Sequence, residues 1–105
     1  MLVSTVDAFP HKPYTVLGLV DGSTVQTVNA LRDIGAGLKT LIGGELKKYS
    51  EMMSKARELA TARMVEKAEW LGADAVVGVR YATSSIMEGA AEVMAYGTAI
   101  KFDEE

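Results

Sequence analysis

The longest regular pattern in this chain runs from Leu46 to Leu71. Leu46, Tyr49, Met53, Ala56, Ala60, Met64, Ala68 and Leu71 return at steps of three and four residues, the period of one helical face. Met52 and Leu59 widen the apolar stripe, while Lys47, Lys48, Glu51, Lys55, Arg57, Glu58, Glu66 and Lys67 lie mostly off it. The pattern predicts a helix from Glu45 or Leu46 to Leu71, stopped by Gly72 at the position after the cap. At about 1.5 Å per residue such a helix is nearly 40 Å long. In so small a chain, either its ends project or a partner subunit covers part of it.

On both sides of this helix the period shortens to that of strands. Leu2 to Thr5 reads as a short strand, and Tyr14 to Val20 as another, separated by a loop in which Pro10 and Pro13 bracket His11 and Lys12. Asp21-Gly22 lies between apolar-rich runs, which predicts a hairpin with a second arm over Ser23 to Val28. Asn29 is a fitting cap for a short helix to about Thr40, with Leu31, Ile34, Leu38, Leu41 and Ile42 on one face. Gly35 and Gly37 weaken that helix, which points to close backbone packing there. Ala73 to Thr83 and Glu92 to Phe102 read as strands, linked by Ser84 to Ala91. In the last strand Met94, Tyr96, Ile100 and Phe102 share one face, and Val93, Ala95, Gly97 and Ala99 the other. Neither face is polar, whereas a strand with one wet side alternates. The small residues call for something packed closely, either the long helix or another chain.

These elements make an α+β domain over residues 1–105, an antiparallel sheet of about four strands with one long and one short helix on one face. With 105 residues there is room for one core. Apolar residues are 49% of the chain and charged residues 24%, the balance of a globular protein. A net charge of −3 argues against a nucleic-acid or anionic-membrane partner. With no Cys, disulfides and thiolate sites are excluded. No apolar run approaches the ~20 residues of a bilayer span, and no secretory signal opens the chain, so the expected compartment is the cytoplasm.

Chemistry is sparse. His11, the one histidine, together with Glu88 and Glu92 at the last turn, is the candidate set for a divalent cation. Met52, Met53, Met64, Met87 and Met94 offer soft thioethers, though three of them already fit the helix stripe. Arg32 and Asp33, with Arg80, are the candidates for a ligand contact between subunits, with an anion and another subunit both open as what they touch. Gly35-Ala36-Gly37-Leu38-Lys39-Thr40 fits neither the phosphate-loop nor the dinucleotide pattern. Ser84-Ser85 has no nucleophile-elbow context, so no catalytic residue is assigned.

Leu71-Gly72-Ala73-Asp74-Ala75-Val76-Val77-Gly78-Val79 resembles the YbjQ-like family of small bacterial and archaeal proteins, which carries a heavy-metal-binding label. Asn29-Ala30-Leu31-Arg32-Asp33, Gly43-Gly44, Tyr49, Lys55-Ala56-Arg57-Glu58 and Gly97-Thr98-Ala99-Ile100-Lys101 extend the resemblance over most of the chain. It implies a dodecin-like subunit that assembles with copies of itself into a ring, a pentamer. Where relatives carry acidic residues after the Gly-Val step, this chain has Arg80-Tyr81-Ala82-Thr83. The expectation is a binding or scaffold protein without catalysis; the alternatives are a metal-ion-binding protein and an enzyme with an inter-subunit site.

Overall fold

The structure, a computed structural model, describes residues 1–27, 44–87 and 90–104. Its elements are β1 (Leu2–Val3), β2 (Tyr14–Thr27), α1 (Gly44–Trp70), β3 (Ala75–Met87) and β4 (Ala90–Phe102). The strands form one sheet in the order β1-β3-β4-β2. β4 pairs antiparallel with both β2 and β3, while β1 runs parallel to β3. The sheet is therefore mixed, where an antiparallel one was expected. The short helix expected from Asn29 to Thr40, including Arg32 and Asp33, lies outside the described residues, as does Glu88.

α1 ends as its sequence dictates. Gly72 adopts φ 79°, a conformation that glycine enters without strain. The Gly72 amide donates to the Glu69 carbonyl and the Ala73 amide to the Ala68 carbonyl, both at 3.0 Å. That pair of bonds is the Schellman closure of a helix C-terminus. The stripe residues Ala56, Ala60, Met64 and Ala68 are all buried, at 2% exposure or less. They pack on Val20, Val76, Val79, Val93, Ala95 and Ala99 of the sheet. The small face of β4 is thus the one that receives α1. Burying the larger of these side chains contributes about 1.5–3 kcal/mol each.

The expected hairpin at Asp21-Gly22 does not form. β2 runs unbroken through both residues, with Asp21 opposite Tyr96 and Gly22 opposite Ala95. Gly22 is required for a different reason. A Cβ there would stand 2.7 Å from the Arg63 carbonyl carbon, and nearer still to the Ala60 oxygen and Met64 nitrogen. The helix backbone lies directly on Gly22, and no side chain fits between.

The link expected over Ser84 to Ala91 is also shorter than its sequence suggests, because β3 continues to Met87 and pairs there with Ala90. On the face away from α1, Ala75, Val77 and Ile100 are buried beneath Phe9, Tyr14 and Phe102. Phe9 packs on Phe102 with ring centroids 4.8 Å apart, and the Lys12 ammonium sits 4.2 Å from the Phe102 centroid, a cation–π contact. The segment between β1 and β2 therefore closes the lower half of that face. The upper half carries Leu19 and Val25 exposed on β2 beside Tyr96 on β4.

Candidate functional site

In the stretch Leu71 to Val79, Asp74 and Gly78 serve the fold. Asp74 Oδ2 accepts the Phe102 amide at 2.8 Å, and the Asp74 amide donates to the Ile100 carbonyl at 2.8 Å. Gly78, at φ 62°, sits in the register shift between Val77 and Arg80, a bulge that redirects the strand. Its amide donates to the Val6 carbonyl at 2.6 Å, and the Val79 amide donates to the Ser4 carbonyl at 3.0 Å. These bonds fasten the segment after β1 along the outer edge of β3.

Arg80, expected to face a ligand between subunits, completes that fastening. Its Nη1 donates to the Thr5 carbonyl at 3.1 Å and to the Val79 carbonyl at 2.9 Å, while Nη2 stands 3.5 Å from Asp7. The guanidinium thus bonds within the chain, to β3 and the N-terminal segment, and stays half-exposed.

The expected cation set does not converge. His11, in an exposed loop at φ 61°, lies at the Phe102 end of β4, where the Asp103 amide donates to the Pro13 carbonyl at 3.1 Å. Glu92 lies near the other end of β4. Ten residues of strand separate Glu92 from Phe102, about 33 Å at the extended rise. The described aspartates are committed elsewhere. Asp7 is near Arg80, Asp21 pairs with Lys67 at 2.8 Å, Asp74 caps Phe102 and Asp103 accepts from Thr15. Among the described residues no group of three or more His, Asp or Glu side chains could hold a metal. Nor do the thioethers gather. Met64 is buried under α1, Met94 points to the opposite face of the sheet, and Met87 is exposed at the end of β3.

Among the described residues two recesses flank α1, and the sequence pattern points to neither. One, of about 370 Å³, is lined by Gly22, Ser23, Arg63, Glu66, Lys67 and Trp70. Its cations are engaged: Arg63 Nη1 donates to the Ser23 carbonyl at 2.6 Å, and Lys67 pairs with Asp21. The other, of about 590 Å³, lies between α1 and the upper part of β3, lined by Ser54, Arg57, Glu58, Thr61, Ala62 and Tyr81. There Thr61 Oγ1 donates to the Arg57 carbonyl at 2.7 Å and lies 2.8 Å from the Tyr81 hydroxyl. Arg57 Nη2 donates to Ser54 Oγ at 3.1 Å. The arrangement gathers hydroxyls, a guanidinium and a carboxylate, groups that can hold a polar ligand. The helical spacing of Ser54, Arg57, Glu58 and Thr61 was legible beforehand, but only the tertiary fold places Tyr81 against them.

A family model described as "Putative heavy-metal-binding", the YbjQ model, matches residues 1–103. The chain belongs to the YbjQ family. It is 58% identical over 101 residues to a UPF0145 protein of Clostridium novyi, covering 96% of this chain and 98% of that one. A UPF0145 protein of Thermus thermophilus is 55% identical over 104 residues, with 98% of this chain and 91% of the relative covered. Among solved structures, a Pediococcus pentosaceus protein of unknown function from the DUF74 family superposes with a TM-score of 0.70. That alignment covers 98% of both chains at 21% identity, so it establishes a shared fold.

Proposed function

We propose that this YbjQ-family chain is a cytoplasmic binding or scaffold protein that assembles with copies of itself into a ring of five. The observation that carries the reading is the bare upper half of the sheet face away from α1. Leu19 there is 76% exposed, with Val16 and Val25 on the same side of β2 and Tyr96 beside them on β4. Exposed apolar side chains gathered on one face, here interrupted on β2 by Asp21 and Ser23, support an interaction surface. Among the described residues the sheet is also open along the outer sides of β2 and of the short β1, and along β3 beyond Val79, where the backbone bonds to the N-terminal segment end. Open edges are templates for strand pairing. Joining one kind of edge to the other is a head-to-tail contact, and such contacts repeat into rings when the rotation closes.

The alternative comes from the family description, metal binding. The described residues fit it poorly, since His11 and Glu92 stand far apart and the aspartates are paired within the chain. Native mass spectrometry of untagged protein, purified without chelator, tests both readings at once. A single ring mass with no metal adduct is the expected result. A monomer at micromolar concentration overturns the assembly, and a stoichiometric metal adduct favours the alternative.

A further inference from the structure

α1 lies over β2 and β4, and β3 outlasts its cover, so the recess lined by Ser54, Arg57, Glu58, Thr61, Ala62 and Tyr81 remains beside the helix. Its size falls in the range of small-molecule sites, roughly 300–1,000 Å³.

Counting protons shows what the recess offers. Thr61 spends its single hydroxyl proton on the Arg57 carbonyl. The Tyr81 hydroxyl therefore donates to Thr61 across their 2.8 Å contact, which leaves the Tyr81 oxygen as an acceptor. Arg57 carries five N–H donors. One goes to Ser54 Oγ, and among the described residues no carboxylate lies within ion-pair distance of its guanidinium. Ser54, accepting from Arg57, keeps its own proton to give. One side of the recess is thus a donor corner of Arg57 and Ser54. Glu58, next to Arg57 on α1, and the Tyr81 oxygen supply acceptors in the same recess. Three of these residues are already held by hydrogen bonds, so little side-chain freedom is lost when a ligand arrives.

We propose that this recess binds a small zwitterion of the amino-acid type, its carboxylate on Arg57 and Ser54 and its ammonium toward Glu58. The planar guanidinium matches a carboxylate in a two-pronged contact. Glu58 beside it selects against multiply charged anions such as phosphate, because like charge at short range is repulsive. The proposal gives the binding function a ligand class and rests on that reading. It does not depend on the subunit number.

Saturation-transfer NMR on the assembled protein tests it, titrated in turn with glycine and with acetate, while inorganic phosphate, which carries no carbon-bound proton, is read by its displacement of glycine. Glycine is expected to bind more tightly than acetate, and phosphate weakest. Arg57→Gln weakens glycine at least about tenfold, the scale of a lost charge-assisted contact, and Arg57→Lys restores part of it. Glu58→Gln weakens glycine about threefold and leaves acetate unchanged. Arg63→Gln, on the other flank of the helix, changes neither. No transfer to glycine, equal transfer in Arg57→Gln, or tighter phosphate binding each overturns the proposal. The ring mass of the same samples shows separately whether the assembly reading stands.

Discussion

The two faces of this sheet are built on opposite plans. On the helix side the chain closes its own core: alanines on α1 meet Gly22, Ala95 and Ala99 on the strands, and the exposed side chains there, Tyr81 and Trp70, stand at the flanks of the helix. On the other side the chain covers only the lower half, with Phe9, Tyr14 and Phe102, and leaves Leu19 and its neighbours to solvent. The first face depends on close approach of backbones and the second on large apolar side chains awaiting cover. A substitution should therefore act on the fold at the first face and on assembly at the second.

The sharpest way to break the contrast is at Gly22. Gly22→Val places atoms where the backbone of α1 runs, and backbone cannot step aside as a side chain tip can. Overpacking costs about 1–3 kcal/mol where side chains yield, so this substitution is expected at or above about 3 kcal/mol, measured by urea denaturation. A loss below about 1 kcal/mol would show that α1 is not seated on β2. Met64→Ala comes next. Met64 is fully buried between helix and sheet, and its truncation is expected to cost about 2–5 kcal/mol through lost burial and the cavity left behind. The same denaturation measurement checks it, with the slope against urea unchanged.

How much of this was legible beforehand follows from whether the cause is local. The middle of the α1 stripe, from Ala56 to Ala68, its stop at Gly72 and the small face of β4 are written in neighbouring residues and appear as read, while Leu59 and Leu71, read into the same stripe, are exposed. Asp21-Gly22 has the local form of a hairpin turn, yet Gly22 answers to a helix some forty residues later, a requirement that no window around it contains. The parallel pairing of β1 escaped because its ladder is two residues long, too short for any period. The contacts of Arg80 are hidden for a similar reason. Its partners Thr5 and Asp7 lie 75 and 73 positions away, so no window around Arg80 shows that it fastens the N-terminal segment. His11 and Glu92 were grouped by residue type, but β4 holds them at opposite ends. The recess beside Tyr81 exists only because β3 outlasts the cover of α1, a fact of tertiary length rather than of motif.

The smallest effect on the chain itself is expected at Leu19, and it sharpens the comparison most. Leu19→Ala removes a side chain about as large as that of Met64, from a position that is 76% exposed in the single subunit. If solvent were its only neighbour, the change would stay within about 0.5 kcal/mol. If copies of the chain pack on this face, folding and assembly are linked, and the unfolding midpoint of the wild type rises with protein concentration. Leu19→Ala then rises less steeply, while at high dilution the two proteins melt together. Met64→Ala behaves in the opposite sense, displaced by the same amount at every concentration. Thermal unfolding of the three proteins over a hundredfold range of concentration separates the cases. Parallel curves for Leu19→Ala and wild type would remove the bare face from the assembly and leave the strand edges to carry it.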